Sequence, residues 1–236
     1  MNETLVIVGA GRLGRSAHQI LTTAGHSVVL IGRNTAIPAA DLTWLTVPDR
    51  AVSDAARAVP KGGVVLHASG ALEVDVLRPH EVVGSLHPLM SFPGPEKGLP
   101  SGTVPAAVAG DDAARVAAHD LAKKLEFSPF TVEGDRRLYH AAAVLAGKFT
   151  TTLLVQASLA LAACGVPEDD ARRLLAPLAS ESLTNTIALG ADALTGPVAR
   201  GDELVIQEHQ RALDGLEPQL GELYEALTKA TRQVKG

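Results

Sequence analysis

The sequence predicts an α/β fold: a doubly wound, mainly parallel sheet in an N-terminal domain, followed by an all-α C-terminal domain. Two observations predict this organisation. Short β-branched runs alternate with helical stretches from Leu5 to about Val132, and strand-like runs disappear after Gly134. Strand–helix alternation implies right-handed crossovers between parallel strands. Apolar residues at helical spacing in the remainder predict a helical bundle. The predicted domains are residues 1–133 and 134–236.

The first domain is predicted to alternate strands with helices along the chain. The strands are, in order, TLVIV, SVVLIG, TWLTV, GVVLHA, VVGSL, PAAVAG and SPFTV. The helices cover about residues 12–24, 50–59 and 111–125. In the second domain, helical spacing of apolar residues is found in RLYHAAAVLAGKFTTTLLVQASLALAAC, PEDDARRLLAPLASESLTNTIAL and LVIQEHQRALDGLEPQLGELYEALTKATRQV.

Composition and charge restrict the classes of function. With 236 residues, 46% of them apolar, the chain can bury a sizeable core. The net charge of -5 and the lack of a dense Lys/Arg run argue against binding to nucleic acid or to an anionic membrane surface. Cys164 is the single cysteine, which excludes an intrachain disulfide and a CxxC site and favours a reducing cytoplasm. The histidines show no HExxH spacing, so a catalytic metal is not expected.

Neither a signal peptide nor a membrane span is expected. The first residues lack a basic segment, and the apolar run that follows is too short for a signal peptide. The run FTTTLLVQASLALAAC is shorter than a bilayer span and contains Thr, Gln and Ser. The sequence therefore predicts a soluble, cytoplasmic protein.

The run LVIVGAGRLG places three glycines between the first predicted strand and the first predicted helix. In a dinucleotide-binding fold, the first glycine (here Gly9) permits a tight turn and the second (Gly11) lets the backbone approach the pyrophosphate. The third (Gly14) lets the helix pack closely on the strand. Arg12 and Leu13, at the start of the helix, offer backbone N–H groups to the phosphates. This pattern predicts a Rossmann domain, the alternative being a glycine turn with a purely structural role.

The end of the second strand indicates which dinucleotide is bound. A protein that prefers NAD usually carries Asp or Glu about twenty residues beyond the glycines, where the carboxylate binds the ribose 2′-hydroxyl. Here the strand ends in Gly32, Arg33 and Asn34, and no carboxylate occurs between Leu5 and Ala40. Arg33 is positioned to bind a 2′-phosphate, with Asn34 beside it, so NADP is the predicted cofactor. The alternative is that Arg33 is a solvated loop residue.

Several motifs together resemble a known family. They are LVIVGAGRLG, AGHSVVLIGR, TVPDRAV, HASGAL, GSLHPLMSFPG, YHAAAVLAGKF and LTGPVARGD. The chain resembles a Rossmann-like family with a C-terminal domain of unknown function. That family lies within the superfamily of 6-phosphogluconate dehydrogenase, pyrroline-5-carboxylate reductase, ketopantoate reductase and prephenate dehydrogenase. The resemblance implies an NADP-dependent oxidoreductase, and ketopantoate reductase is the specific activity that it favours.

Two loops after predicted strands are candidates for the nicotinamide and substrate site, because ligands of open α/β sheets bind beyond the carboxyl ends of the strands. Val47 and Pro48 follow the third strand, and Ser69 and Gly70 follow the fourth. Ser69 is equally consistent with a capping role. His87 follows the fifth strand in a His-Pro pair similar to that of prephenate dehydrogenases. It is a candidate for polarising a carbonyl or binding a carboxylate, the alternative being a histidine bonded to loop backbone.

The resemblance also assigns a role to Lys148. Related dehydrogenases place a catalytic lysine on the first long helix after the Rossmann domain. Thr152 stands where the sugar-acid dehydrogenases have an asparagine, which departs from that pattern. His140 lies eight residues before Lys148, which places the two side chains about 80° apart around an ideal helix. Both are therefore expected to face one cleft. The alternative is that Lys148 extends to the surface along the apolar helix.

The segment LTGPVARGD interrupts the helical pattern. Arg200 within it is a candidate for binding a substrate carboxylate through two parallel hydrogen bonds. Asp202 is predicted instead to be the N-cap of the last helix.

Two classes of function remain open. The first is an NADP-dependent reductase of a small keto acid, in which Lys148 donates to the developing alkoxide and Arg200 or His87 binds a carboxylate. The second is a dinucleotide-binding sensor or scaffold without chemistry. We also expect a homodimer through the helical domain, because residues 141–163 are very apolar and related reductases intertwine there.

Overall fold

The computed structural model describes residues 4–100 and 102–235. These residues form two compact units, with the division between Gly147 and Lys148. In the first unit, the strands are β1 (Leu5–Val8), β2 (Val28–Ile31), β3 (Leu42–Leu45), β4 (Val64–His67), β5 (Val83–Pro88), β6 (Val104–Gly110) and β7 (Phe127–Thr131). Its α-helices are α1 (Arg12–Thr23), α2 (Asp49–Ala58), α3 (Asp112–Lys124) and α4 (Arg136–Val144). The predicted α/β fold is therefore confirmed, and each observed strand begins and ends within two residues of its prediction.

The strands form one seven-stranded sheet in the order β2-β1-β3-β4-β5-β6-β7. Every neighbouring pair is parallel except β5 and β6, which are antiparallel. Parallel neighbours need a crossover connection, usually a helix. Among its described residues, the connection from β5 to β6 contains a short 3₁₀ turn, Pro95–Lys97, and no α-helix, and the chain returns beside β5 in the opposite direction.

Two apolar layers enclose the sheet, as alternation along the strands requires. One face of the sheet packs against α1 and α3, and the other packs against α2. Trp44 is fully buried in the first layer, and its indole N–H donates a hydrogen bond to the carbonyl oxygen of Leu86, 3.2 Å away. The core of the first unit therefore closes within the chain.

The register of the sheet aligns the strand ends that matter for function. Val8, Leu45, His67 and Ser85 are paired in a row across β1, β3, β4 and β5. The parallel strands all run in one direction through this row. The loops that leave them, and the end of β5, therefore lie at one edge of the sheet.

The second unit is helical. A π turn, Leu145–Phe149, follows α4 and leads into α5 (Thr150–Ala163). The other helices are α6 (Glu168–Leu189), α7 (Gly196–Arg200), α8 (Glu203–Leu216) and α9 (Pro218–Lys235). The last predicted helical stretch is two helices, because Pro218 lacks an N–H, fits the first turn of a new helix and favours an extended Glu217. LTGPVARGD is not a plain loop, since it contains α7.

Few side chains are enclosed in the helical unit. Among its described residues, the buried ones are Ser158, Ala171, Ile206, Leu220, Gly221 and Thr228. One helical stretch, Arg136–Ala163, is long and apolar enough to cross a membrane by length and composition, and little of it is buried within the chain. It begins with two arginines and includes Lys148.

Candidate active site

The three glycines after β1 differ in what surrounds them. Gly9 has a φ of +120°, and a Cβ there would lie 2.8 Å from the carbonyl carbon and oxygen of Thr46. A Cβ on Gly14 would overlap the carbonyl oxygen of Gly9. Gly11 has open space within 4 Å of where its Cβ would be. Two glycines are thus required by the fold, whereas Gly11 leaves room on the side where a ligand can approach.

Thr46, at the end of the neighbouring strand, braces this loop. Its hydroxyl donates to the carbonyl oxygen of Gly9 at 2.9 Å, and its backbone N–H donates to that of Val8 at 2.8 Å. Sequence reasoning did not single out Thr46, because a Thr near a strand end carries no distinctive signal. These contacts fix the loop immediately before the start of α1.

The N-terminus of α1 is available for an anion. Gly11 is its N-cap and has no side chain to bond the first N–H groups, and its first turn contains no acidic residue. The N–H groups of Arg12, Leu13 and Gly14 have no acceptor within the helix. Together with the helix dipole, they form a site suited to a phosphate.

A cavity of about 700 Å³ lies beside this loop. It is lined by Val8, Gly9, Ala10, Gly11, Ile31, Gly32, Arg33, Thr35, Ala36, Ile37, Thr46, Val47, Pro48, Ala55 and Ala58. Arg33 is the charged residue of this lining, which has no carboxylate. Asn34 adopts a left-handed conformation with φ 59°, as Asn often does, and turns the chain directly after Arg33. The cavity therefore suits an apolar ring flanked by anionic groups.

The turn after β4 is held by both Ser69 and an arginine. The Ser69 hydroxyl accepts hydrogen bonds from the N–H groups of Ala71 (3.2 Å) and Leu72 (3.0 Å), which is the capping arrangement. Arg136 of α4 donates from Nε to the carbonyl oxygen of Leu72 and from Nη2 to that of Ser69, both at 2.8 Å. Arg136 is 3% exposed, and its Nη1 is buried without a hydrogen-bond partner among the described residues.

A cluster of three rings lies around Gly70. His87, at the end of β5, shares a hydrogen bond of 2.6 Å between its Nδ1 and the hydroxyl of Tyr139. The rings of Tyr139 and His140 both lie edge-on to the His87 ring, with centroids 5.6 and 6.1 Å away. A Cβ on Gly70 would lie 2.8 Å from both His87 and His140, so only glycine fits there. The cluster thus connects the ends of β4 and β5 with α4.

Burial governs the protonation of this cluster. It lowers the pKa of His87 to about 4, the neighbouring His140 and Arg136 act in the same direction, and Asp49 opposes the shift. His87 is therefore a neutral imidazole near pH 7. Burial raises the pKa of Tyr139, which Arg136 opposes. At the same pH, Tyr139 is a protonated phenol beside a neutral imidazole.

His67 lies just before the same turn and is fully buried. Burial lowers its pKa to about 4, and Arg136 and His87 act in the same direction. Its Nδ1 accepts a hydrogen bond from the N–H of Ser69 at 3.1 Å, so the proton is on Nε2. Among the described residues, that Nε2 and the hydroxyl of the paired Ser85 are buried without partners. Two buried polar atoms beside the turn after β4 therefore lack hydrogen-bond partners among the described residues.

The remaining predicted residues belong to the helical unit. Lys148 is exposed and lies in the π turn, so the angle predicted from an ideal α-helix does not apply to it. Thr152 donates from its hydroxyl to the carbonyl oxygen of Lys148 at 3.2 Å. Arg200 is exposed and paired with Asp202, its Nε and Nη2 lying 2.9 and 2.8 Å from one carboxylate oxygen. Asp202 precedes α8, not the last helix, and its side chain makes no capping bond, because it is bonded to Arg200.

Two residues of this cluster were not singled out by sequence reasoning. Tyr139 and Arg136 stand in RRLYHAA, at the start of an otherwise apolar helix. The sequence does show four polar or ionisable side chains near one end of this helix, and such a group indicates a candidate site. Their partners are 52 and 67 residues away along the chain, which no local pattern reveals.

Comparisons with known proteins agree with this architecture. A family model described as a domain of unknown function (DUF2520) matches residues 104–231. A Bacteroides fragilis structure described as an NADP oxidoreductase is 20% identical with a TM-score of 0.83, and the match covers 98% of each chain. Pyrroline-5-carboxylate reductase from Streptococcus pyogenes is 14% identical with a TM-score of 0.66, also over 98% of each chain.

A third similar structure is a reductive aminase from Aspergillus terreus in complex with NADPH and ethyl-5-oxohexanoate. It is 17% identical with a TM-score of 0.67, and the match covers 99% of this chain and 93% of that one. No curated protein sequence matches the chain. At these identities, the structural likenesses establish the fold.

Proposed function

The chain belongs to the DUF2520 family, and we propose that it is an NADP-dependent reductase of a small keto acid, ketopantoate-like, or of a related carbonyl or imine. The observation that carries the proposal is the glycine loop. Gly9 and Gly14 are required by the backbone around them, whereas Gly11 faces open space at the start of α1. A loop that served only to make the turn would not require open space beside Gly11.

The residues present fit NADP. The pyrophosphate would lie against Gly11 and the first N–H groups of α1, where the helix dipole favours an anion. Arg33 would bind the 2′-phosphate, since no carboxylate in the cavity lining opposes it. Asn34, Val47, Pro48 and Ser69 follow the strands at the same edge. When bound, NADPH supplies a hydride to an electrophilic carbon.

The substrate site is proposed at the same edge of the sheet, around Gly70. His87 is neutral and can polarise a carbonyl through the Tyr139 hydroxyl to which it is hydrogen-bonded, and the buried guanidinium of Arg136 gives the site a positive charge. This charge supports a substrate that bears a carboxylate. A neutral histidine polarises a carbonyl without competing with the substrate for a counter-ion.

Two residues of the helical unit, Lys148 and Arg200, are proposed to act in the reduction. Lys148 donates a hydrogen bond to the oxygen on which negative charge develops, and Arg200 binds the carboxylate. The π turn supports a role for Lys148, because single π turns inside α-helices are rare and frequently occur at functional sites. The ion pair with Asp202 is exposed on both sides and is therefore weak enough to open for a ligand.

The helical unit is also proposed to form a homodimer in the cytoplasm. Leu174, Leu178 and Ile187 of α6 are 64%, 66% and 89% exposed in the single chain, and Leu145 and Phe149 of the π turn are also exposed. Such a surface is large for a monomer and marks an interface. A second copy of this chain is the occupant proposed, because a two-fold dimer places the same patch of each copy against the other, so that one apolar surface covers its own equivalent.

A direct test is NADPH oxidation across a panel of 2-keto acids, ketopantoate and cyclic imines, followed by loss of absorbance. The proposal predicts turnover of at least one of these classes. Tight NADPH binding without any turnover would instead identify a dinucleotide sensor or scaffold, the other function that a preserved cofactor pocket permits.

A further inference from the structure

We infer that Tyr139 is a catalytic residue that donates a proton to the substrate during the reduction. His87 then reprotonates Tyr139 with a proton taken from solvent. The inference rests on the proposed function and assigns a step that the glycine loop and the helical unit leave open. It is carried by the hydrogen-bonded pair of a half-buried tyrosine and a histidine at the carboxyl edge of the sheet.

Tyr139 is held in place but not enclosed. Its hydroxyl is 2.6 Å from Nδ1 of His87, and its ring lies edge-on between His87 and Phe130, with centroids 5.6 and 6.2 Å away. Part of its side chain remains exposed, whereas the neighbouring Arg136 is buried. A phenol fixed by two rings and one hydrogen bond is preorganised to meet a substrate oxygen.

His87 is suited to relay a proton because its two nitrogens have different surroundings. Nδ1 is bonded to Tyr139, while Nε2 has no hydrogen-bond partner among the described residues and belongs to a side chain that is partly exposed. With the proton on Nδ1, His87 donates to the Tyr139 oxygen and leaves the phenol proton free for the substrate. Burial keeps the imidazole neutral, which this relay requires.

The proton balance is then complete. As hydride from NADPH adds to the carbonyl carbon, a C–H bond forms, the cofactor would be left as NADP⁺, and the π electrons of the carbonyl move to its oxygen. That oxygen takes the phenol proton of Tyr139, the Tyr139 oxygen takes the Nδ1 proton of His87, and Nε2 takes a proton from water, which leaves hydroxide in the solvent. The substrate gains a hydride and a proton, and both side chains return to their starting charge. Proton exchange with solvent then moves the His87 proton from Nε2 back to Nδ1 before the next turnover.

Arg136 supports this step through its charge. A guanidinium close enough to act on Tyr139 stabilises a transient phenolate, and its own Nε and Nη2 bonds hold it against the Ser69–Leu72 turn. The hydrogen bond proposed from Lys148 stabilises the negative charge that develops on the substrate oxygen, and Tyr139 supplies the proton. The two side chains thus take separable parts of one step.

The chain contains a matched control for the test. Its other tyrosine, Tyr224 of α9, also shares a hydrogen bond with a histidine, Nδ1 of His209 at 3.0 Å, but both residues lie in the helical unit and the bond is exposed. Tyr139→Phe and Tyr224→Phe each remove one oxygen. We expect Tyr139→Phe to lower kcat by about 100-fold or more, with NADPH affinity and Tm close to wild type. Tyr224→Phe should leave kcat unchanged.

The outcomes separate the two claims. If the wild type oxidises NADPH and Tyr139→Phe keeps kcat within about twofold, the inference is wrong while the reductase stands. If the wild type turns over no substrate of the panel, the proposed function fails and the inference with it. A readout independent of turnover is ¹⁵N NMR of His87 in the free protein. The proton should be found on Nδ1, and a proton on Nε2 would overturn the relay.

Discussion

The sheet unit and the helical unit differ in where their apolar side chains lie. In the sheet unit, β1 and β3 are buried along their whole length and Trp44 is fully enclosed. In the helical unit, Ile187 and Leu178 are largely exposed, and few of the described side chains are buried. The first unit buries its apolar side chains within one chain. The second leaves apolar side chains exposed, and we propose that a further copy of the chain covers them.

The largest effect that tests this contrast is expected in the core of the sheet. Trp44→Ala should lower the free energy of unfolding by about 3–5 kcal/mol, because it leaves a cavity and removes the hydrogen-bond partner of the Leu86 carbonyl. Chemical denaturation of the purified variant measures it. A loss below about 1 kcal/mol would show that the core is less tightly closed than its burial indicates.

A large effect on activity, but not on folding, is expected in the helical unit. Lys148→Ala should lower kcat by about 100-fold, equivalent to about 2.7 kcal/mol, while NADPH affinity is retained. Steady-state kinetics and cofactor titration measure the two separately. Unchanged kcat would place Lys148 among the surface lysines of an apolar helix and confine the chemistry to the sheet unit.

A smaller effect is expected at Arg200. Arg200→Ala should raise KM for a carboxylate substrate by about tenfold, or about 1.4 kcal/mol, with little change in kcat, because it removes ground-state binding. Arg137→Ala, which removes another exposed arginine paired with an aspartate, is the control. A KM that rises equally in both variants would point to a general loss of positive charge.

The smallest effect on stability is expected on the exposed face of α6. Ile187→Ser should change the unfolding free energy of the isolated chain by less than about 0.5 kcal/mol, since the side chain has little to lose. It should nevertheless weaken the dimer, which light scattering over a range of concentrations measures. A wild type that is monomeric at micromolar concentration would remove the proposed second copy.

Prediction from sequence succeeded where the signal is local. Alternating apolar runs located the strands, and the glycine spacing predicted a tight turn at Gly9 and close packing at Gly14, where the structure leaves no room for a Cβ. It could not choose between the roles of Ser69, because the capping bonds depend on the turn geometry. The π turn at Lys148 was also missed, since it is a change of hydrogen-bond register that composition does not encode.

The candidate site was predicted only in part, for a physical reason. His87 was found because a histidine after a strand end is visible in the sequence. Its partner Tyr139 and the clamp by Arg136 result from tertiary packing of α4 on the strand ends, across long separations in the chain. Burial then sets the pKa of His87 near 4, a property that no sequence window contains.

We propose that the sheet unit binds NADP through Arg33 and the glycine loop. Fluorescence titration of the wild type with NADPH and with NADH measures the preference. NADPH should bind at least about tenfold more tightly, equivalent to about 1.4 kcal/mol, and Arg33→Ala should abolish this preference. Equal affinities for the two cofactors in the wild type, or tighter binding of NADH, would contradict it.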